Sequence, residues 1–328
     1  MASPHKKHTP NACPDISGLG SPATGPHWTA RDIPDLSGQR ALVTGGAGGL
    51  GIATAKALLE HGAEVIIADV NADAAQAVAA QYAACEYRPL NLGQLQSLPV
   101  FAEPLLQRPL DLLINLAGIY PPAQRAETVD GLERAMAINF WGHFALTACL
   151  LPALQQAEAA RVVSVSSITQ AWGKLDFANP QTNRRYQADQ VYGSSKLACL
   201  MFGLELHDRA RAAGIAVQSM VAHPGIAQTS LGVERKQQPR GLRARMEDAA
   251  QAFAMRFFGQ APAQGALPIL YAATAPQASS GEFYGPHGLG QFSGYPVPVR
   301  PSKTALNKQN REQLWRWAEN ASGTSLRL

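Results

Sequence analysis

The stretch "ALVTGGAGGLGIATAKALL" at 41–59 constrains the fold more than any other part of the chain. A short apolar run leads into a glycine-rich turn, and an alanine-rich helical pattern follows. Glycine permits the tight turn and lets a phosphate approach the backbone, while the first amides of the following helix point at that phosphate. The stretch therefore predicts a buried parallel strand, a phosphate-binding loop and a helix, which together form the first unit of a doubly wound sheet.

The same alternation of short apolar runs and helical patterns continues along the chain. Near-continuous apolar strands between helices indicate a parallel sheet that is covered on both faces. We predict a single α/β domain, doubly wound, over residues 28–328, with a seven-stranded, mostly parallel sheet, and a mobile polar tail over residues 1–27. The predicted strands are Ala41–Thr44, Val65–Asp69, Glu86–Leu90, Leu112–Asn115, Arg161–Ser166, Ala216–Ala222 and a short one at Glu282–Tyr284.

Charge and cysteine content narrow the class of protein. A formal net charge of +4 over 328 residues is small, which argues against a nucleic-acid partner. No apolar run approaches the ~20 residues of a membrane span. The four cysteines show no CxxC spacing, so we predict no metal site, no disulfide framework and a cytoplasmic location. They are Cys13, Cys85, Cys149 and Cys199.

An acidic residue ends the second predicted strand. Asp69 follows Gly51 at close to the ~20 residues at which a carboxylate binds the adenosine ribose. A carboxylate there repels a 2′-phosphate, residues 45–55 contain no Arg or Lys, and Val70 comes next. We therefore predict NAD rather than NADP as cofactor. A strand-end aspartate that only caps a turn is the alternative.

Tyr192 lies four residues before Lys196 in "QVYGSSKLACL", so the two side chains share one face of a predicted helix. An ammonium about 4 Å from a phenolate stabilises it by about 4 kcal/mol at an effective dielectric near 20, which suits general acid–base chemistry. The spacing alone also occurs by chance. Two hydroxyls, those of Ser166 and Ser167, end a predicted strand and favour a catalytic role for the Tyr–Lys pair. At least one of them is expected only to form hydrogen bonds with backbone groups of the turn.

Several ordered motifs together resemble the short-chain dehydrogenase/reductase family. They are "TGGAGGLG", "NLAG" at 115–118, "AINFWGHFALT", "VSVSS", "YGSSK" and "HPG" at 223–225. The segments "YGSSKLACLMFGLEL", "AHPGIAQTSL" and "LWRWAENASG" resemble the branch that contains retinol dehydrogenases and related bacterial oxidoreductases. The resemblance covers about residues 28–322 and implies a Rossmann fold.

The resemblance implies a role for each of four residues. Tyr192 is the general acid/base, and Lys196 supports it and binds the nicotinamide ribose. Ser167 binds the substrate oxygen, and Asn139 holds a water that links Lys196 to solvent. The predicted cofactor-binding set is Thr44, Gly45, Gly49, Leu50, Gly51, Asp69, Asn91, Leu92, Asn115, Ala117, Gly118, Tyr192, Lys196, Pro224, Gly225 and Thr229.

This chain departs from the family pattern at three places. Leu116 stands where a second asparagine is common, Asn91 where aspartate is common, and Val70 where the retinol branch often has arginine. We predict an NAD-dependent dehydrogenase acting on CH–OH donors, with an apolar or aromatic substrate. An NADP-dependent carbonyl reductase and a catalytically silent dinucleotide-binding sensor remain as alternatives.

Two segments of the chain lie outside these motifs and bear on the substrate. The 24 residues between Ser167 and Tyr192 exceed most structureless loops, and they form either a wall of the substrate pocket or a surface elaboration. A substrate lid is predicted around 227–262. Its basic cluster at 235–245 is a solvated charge run, with contact to a membrane surface as the less favoured alternative. The apolar run "LACLMFGLEL" fits either core packing or a second copy of the chain.

Overall fold

The computed structural model describes residues 27–227 and 259–328. Within them, eight strands form one sheet in the order β3-β2-β1-β4-β5-β6-β7-β8, parallel except for the last pair. The order reverses between β1 and β4, which is where doubly wound sheets bind ligands. The strands are β1 Arg40–Thr44, β2 Glu64–Asp69, β3 Cys85–Pro89, β4 Leu112–Asn115, β5 Arg161–Val165, β6 Gln218–Ala222, β7 Phe283–Pro286 and β8 Pro296–Pro298.

The α/β, doubly wound fold class is confirmed, and each of the seven predicted strands is present. The predicted count was one too low, because β8 pairs antiparallel with β7 at the edge of the sheet. No strand signal marks β8 in the sequence, since its three residues include two prolines and show no apolar alternation. Proline lacks the amide that a central strand needs, but an edge strand tolerates it.

Seven helices within the described residues cover the two faces of the sheet. Apolar residues of α1, α2 and α6 form one core cluster with the sheet. Those of α3, α4, α5 and α7 form the other. The helices are α1 Gly49–Glu60, α2 Ala72–Ala79, α3 Leu98–Ala102, α4 Arg134–Leu154, α5 Ala188–Ala213, α6 Pro262–Thr274 and α7 Lys308–Ser322.

Helix α4 is unusually long and apolar among the helices that the structure describes. Its 21 residues are long and apolar enough, by length and composition, to cross a membrane, which differs from the expectation that no stretch approaches that length. Of its most apolar window, 78% is buried inside the fold, so packing in the core accounts for the composition. A π-helical turn at Ala137–Trp141 interrupts the helix.

Helix α7 packs across α4 and α5. The Trp315 ring lies 5.1 Å from Phe144 and 5.9 Å from Phe202, and the Arg209 guanidinium sits 4.3 Å above it. Leu200 and Met201 in "LACLMFGLEL" are fully buried. Core packing therefore accounts for this apolar run, the first of the two alternatives.

The carboxyl ends of the parallel strands meet at one edge of the sheet. Five motifs follow them there, after Thr44, Asp69, Asn115, Val165 and Ala222. Functional groups of doubly wound proteins gather at this edge. Residues 1–26 of the predicted tail and residues 228–258 of the predicted lid, including Thr229 and the basic cluster, lie outside the described residues.

Candidate active site

The glycine loop connects β1 to α1 in a form that only glycine allows. Gly45 has a φ of 67°, and a Cβ added there would lie 2.7 Å from the Ala117 Cα atom. A Cβ on Gly51 would lie 2.1 Å from the Gly45 carbonyl oxygen. The N-cap of α1, Gly48, makes no side-chain cap, so the first amides of the helix remain free to bind an anion. This cradle fits the pyrophosphate of a dinucleotide.

Asp69 lies beside that loop. Its Oδ2 accepts a hydrogen bond from the Ala47 amide at 2.9 Å, and its Oδ1 accepts one from the Asn71 amide at 2.9 Å. The carboxylate therefore does cap the turn, as the alternative interpretation held. Each oxygen keeps acceptor capacity, since a carboxylate accepts about four hydrogen bonds. Ribose binding by the same carboxylate stays a prediction that this geometry permits.

Thr44 ties the glycine loop to the "NLAG" segment. Its Oγ1 accepts hydrogen bonds from the amides of Leu116 at 2.9 Å and Ala117 at 3.1 Å. Asn115, at the end of β4, is buried and donates from Nδ2 to the Thr147 hydroxyl at 3.1 Å. Both side chains act here by fixing backbone beside the loop, and neither needs to touch the cofactor to do so.

His143 is a buried residue of this network that the sequence analysis missed. Its Nδ1 lies 3.0 Å from the Asn139 carbonyl oxygen and must donate, because a carbonyl only accepts. Its Nε2 is then the acceptor that faces the Thr44 hydroxyl at 2.9 Å. Burial lowers the pKa of His143 to about 4, so the ring is neutral at pH 7. Its position as a polar residue in an apolar helix, four residues after Asn139, was the available signal.

Asn139 lies in the π-helical turn of α4, a deviation that often marks functional sites. Its Nδ2 donates to the Ile119 carbonyl at 3.0 Å and to the Ser195 hydroxyl at 2.9 Å, while Oδ1 accepts from the Ile119 amide at 2.8 Å. The side chain thus clamps the chain after "NLAG". Its main-chain oxygen accepts from His143 and from Cys199 Sγ, 3.1 Å away. The water that Asn139 is expected to hold stays a prediction.

Lys196 is only 5% exposed and points toward the ends of β4 and β5. Its Nζ donates to the Val165 carbonyl at 3.1 Å. A Cβ added to Gly118 would lie 3.3 Å from this Nζ and 3.2 Å from the Asn139 Oδ1. Glycine at 118 therefore leaves the space beside the ammonium and the amide free.

Tyr192 is half-buried on the same side of α5 as Lys196. Its ring packs against the ring of Tyr120, with centroids 4.8 Å apart. The Tyr120 hydroxyl donates to the carboxylate of Asp189, which lies about one turn before Tyr192 on α5. Tyr120 was not among the predicted site residues, because nothing in its local sequence shows that it meets a residue 72 positions further along.

The two serines after β5 have different roles. Ser166 is 2% exposed and donates to the Lys196 carbonyl at 2.7 Å, so it satisfies backbone. Ser167 is half-buried and caps the short turn Ile168–Trp172 by accepting from the Thr169 amide at 3.2 Å. Accepting that bond leaves the Ser167 hydroxyl proton free to be donated to a substrate oxygen.

The "HPG" segment after β6 is held by Gln291 and Phe292, which follow β7. The Gly225 amide donates to His223 Nδ1 at 3.2 Å, so Nε2 carries the proton and donates to Gln291 Oε1 at 3.0 Å. Burial lowers the pKa of His223 to about 4. Gly225 has a φ of 67°, and a Cβ there would lie 2.3 Å from the Phe292 carbonyl oxygen. Pro224 is half-buried beside these residues.

Three other predicted cofactor residues have less direct access to a ligand. Leu50 and Leu92 are 7% and 4% exposed and belong to the core, so they can face a cofactor only through backbone atoms. Asn91 is exposed, and its Oδ1 accepts from the Gly93 amide at 3.0 Å. Its main-chain oxygen accepts from the Gln94 amide at 3.1 Å, so the side-chain Nδ2 is the group left to bind a ligand.

Comparison with known proteins agrees with this geometry. The sequence profile of the family described as short chain dehydrogenase matches residues 39–240. A mouse polyprenol dehydrogenase is 34% identical over 86% of this chain and 83% of its own length. Human retinol dehydrogenase 14 is 32% identical, and the match covers 76% of this chain and 79% of the human protein. A Streptomyces lividans protein described as a probable oxidoreductase is 32% identical, and the match covers 86% of this chain and 97% of the other.

Solved structures give the same result. An uncharacterised protein from Mycobacterium paratuberculosis superimposes with a TM-score of 0.76 and 33% identity, and the match covers 92% of this chain and all of the other. The Pseudomonas aeruginosa protein RhlG, solved with NADP, superimposes with a TM-score of 0.57 and 27% identity, over 77% of this chain and 95% of the other. The chain therefore belongs to the short-chain dehydrogenase/reductase family and is an oxidoreductase with a nucleotide-binding Rossmann fold.

Proposed function

We propose that the protein is an NAD-dependent dehydrogenase that interconverts an apolar alcohol and its carbonyl compound. One observation carries the proposal. Helix α5 holds Tyr192 and Lys196 on one side, with the buried Lys196 ammonium facing Gly118 and Asn139 at the edge of the sheet where the glycine loop also lies. A proton-transfer residue and a dinucleotide cradle thus share one site.

The chain's own residues divide the work as follows. Tyr192 takes the proton of the substrate hydroxyl during oxidation and returns it during reduction. Lys196 supplies a positive charge on the same side of the helix, and Ser167 donates its free proton to the substrate oxygen. Tyr120 holds the Tyr192 ring by packing against it. A bound nicotinamide supplies the hydride acceptor or donor.

The preference for NAD rests on electrostatics. Asp69 is held by two backbone amides at the end of β2, and the next residue, Val70, is 71% exposed and carries no charge. A fixed carboxylate repels the 2′-phosphate of NADP and suits the ribose diol of NAD. NADP is the second candidate, because RhlG, 27% identical, was solved with it.

The substrate is proposed to be an isoprenoid or similarly apolar alcohol. Two relatives are named for retinol and polyprenol, which are both alcohols of this kind. The Trp172 side chain lies against Gly193, the residue after Tyr192, with ring atoms 3.3 Å from where a Cβ would stand, and is 54% exposed. An exposed indole beside the proton-transfer residue suits an apolar substrate.

The test of catalysis is turnover by Tyr192→Phe. With retinol, farnesol and a polyprenol as substrates and NAD reduction as the readout, we expect kcat to fall by about 1,000-fold, within the range of lost acid–base catalysis. NAD affinity should remain nearly intact. Tyr82→Phe is the matched control, since Tyr82 is half-buried like Tyr192 and its hydroxyl contacts Glu60 away from the site. Retained turnover would refute the role of Tyr192.

The same assay addresses the silent sensor. A sensor needs a dinucleotide cradle but no proton-transfer residue, so it has no use for Tyr192 beside a buried lysine. Tight NAD binding without turnover of any alcohol in a broad panel would favour the sensor and contradict the proposed dehydrogenase.

The cofactor preference is tested by kcat/KM for NAD and NADP. We expect the native enzyme to prefer NAD, and Asp69→Ala to reduce that preference by about 10-fold or more, because the repelling charge is gone. Asp73→Ala is the matched control. It also removes a carboxylate, but from the first turn of α2, the helix that follows Asp69 in the chain. A native preference for NADP would contradict our interpretation of Asp69.

A further inference from the structure

A cavity of about 540 Å³ lies beside α5, between the segment that precedes this helix and α7. That volume is in the range of small-molecule sites. The segment belongs to the 24 residues between Ser167 and Tyr192 whose role the sequence left open. The main lining residues are Met136, Lys174, Leu175, Asp176, Thr182, Arg184, Arg185, Val191, Ser194 and Trp317.

This cavity is separate from the candidate active site. The α5 residues that line it are spaced three and four apart, so they share one side of the helix. Tyr192 and Lys196 point about half a turn away around the helix axis, because each residue advances about 100°. The lining residues on α5 are Gln187, Gln190, Val191 and Ser194.

The wall formed by the inserted segment is tied to the rest of the fold. Ser194 Oγ donates to the Lys174 carbonyl at 2.5 Å and accepts from the Lys174 amide at 3.2 Å. Gln181 is held from two sides, since its carbonyl accepts from Arg125 Nε at 2.8 Å and its Oε1 accepts from the Glu133 amide at 2.8 Å. The cavity is therefore part of the folded structure.

Two features of this wall are unfavourable without a ligand. Thr182 and Arg185 have φ values of 50° and 57°, in the left-handed region that a β-branched residue such as threonine rarely adopts. The Thr182 hydroxyl is buried and has no hydrogen-bond partner among the described residues. Strained backbone and unsatisfied polar atoms that persist in a fold cluster at ligand-binding positions.

The charges define the ligand. Lys174, Arg184 and Arg185 line the cavity, and none of them makes an ion pair within residues 27–227 and 259–328. Among the described residues of the lining, Asp176 is the one carboxylate, so positive charge is in excess there. The apolar part of the lining comes from Met136, Leu175, Val191 and Trp317.

We propose that this cavity is a second binding site, distinct from the catalytic one, for an amphipathic anion with a carboxylate or phosphate head on an apolar chain. The two arginines bind the head, since guanidinium groups form charge-assisted hydrogen bonds to both kinds of oxyanion. Trp317 and its apolar neighbours contact the chain. The site does not depend on the proposed reaction.

The test uses the full-length protein with NAD present and measures binding of decanoate and decyl phosphate by calorimetry. We expect saturable one-to-one binding of at least one of them and much weaker binding of the neutral decanol. The double variant Arg184→Gln/Arg185→Gln should weaken anion binding by about 10-fold or more. Lys56→Gln, on α1 at the other face of the sheet, is the matched control and should bind as the native protein does.

Several results would overturn the proposal. They are no saturable binding of either anion, equal affinity for decanol, or an unchanged affinity in the double variant. Competition between the anion and an alcohol substrate would place the anion in the catalytic cleft and would also contradict it. Tyr192→Phe should bind the anion as the native protein does, so failure of the catalytic assignment is distinguishable from failure of this one.

Discussion

Replacement of His143 by glutamine is expected to change how the stability of the protein depends on pH. The ring is 3% exposed and sits between the Asn139 carbonyl and the Thr44 hydroxyl. That hydroxyl oxygen already accepts from the amides of Leu116 and Ala117, so a proton on Nε2 would face an oxygen with no free lone pair. Burial and this arrangement both oppose the charged form of His143.

The size of the effect follows from the pKa. Folding lowers the pKa of His143 from 6.5 to about 4, so the unfolded chain binds more protons than the folded one between these values. The contribution of the neutral ring to the free energy of unfolding is complete above pH 6.5 and is lost as the pH falls toward 4. At about pH 5 the loss is about 2 kcal/mol, from 1.36 kcal/mol per pKa unit.

The assay is urea unfolding of the native protein and of His143→Gln at about pH 8 and pH 5. Glutamine does not titrate, so the native protein should lose about 2 kcal/mol more than the variant on acidification. His223 has the same low pKa and is present in both proteins, so its contribution cancels. His61→Gln, at a half-buried histidine on the other face of the sheet, is the control for the effect of replacing a histidine by glutamine as such.

Equal losses in the native protein and His143→Gln would refute the reasoning, since they would mean that His143 does not change its proton affinity on folding. If glutamine prevents folding, His143→Asn provides a second variant with the same expected outcome. Asparagine also lacks a titrating group, and its smaller amide can still donate toward the Asn139 carbonyl.

Four further outcomes are expected at the site. Gly51→Ala should lower dinucleotide affinity by about 10-fold or more in a binding titration, because the new Cβ would lie 2.1 Å from a carbonyl oxygen of the loop. Ser166→Ala should lower the free energy of unfolding by about 1 kcal/mol, since the buried Lys196 carbonyl loses its side-chain donor, and should change kcat little. Ser167→Ala should lower kcat about 100-fold, because the donor to the substrate oxygen is lost, and should lower the free energy of unfolding by about 1 kcal/mol, because the cap of Ile168–Trp172 is lost. Tyr120→Phe should lower kcat several-fold while NAD affinity stays unchanged, because the ring against Tyr192 loses its anchoring hydrogen bond.

The strands and the glycine loop could be predicted because their signals are local. An apolar strand followed by "TGGAGGLG" limits the backbone within a few residues, and each predicted strand lies within about two residues of the observed one. The family motifs then marked Tyr192 and Lys196, whose four-residue spacing fixes their relative position on a helix without knowledge of the rest of the fold.

Other parts of the site depend on contacts between distant segments. The bond between Thr44 and His143 joins residues 99 positions apart, and the one between His223 and Gln291 joins residues 68 apart. No periodicity reports such pairs. The resemblance already implied Ser167 rather than Ser166, but the hydrogen bond that occupies Ser166, to the Lys196 carbonyl, became visible only in the structure. The location of the inserted segment likewise depended on the packing of α7.

Because the segment at 288–292 supports Gly225, the "HPG" segment can take its final position only late in synthesis of the chain. Synthesis delivers the glycine loop early, yet the carbonyl of Phe292 that packs on Gly225 emerges almost 250 residues later. Domains fold as units once enough chain is available. A ribosome-bound chain that stops before residue 283 carries the glycine loop, Tyr192 and Lys196 but lacks β7 and the residues that hold "HPG". The proposed dinucleotide site, which includes Pro224 and Gly225, would therefore be complete only after residue 292 has been translated.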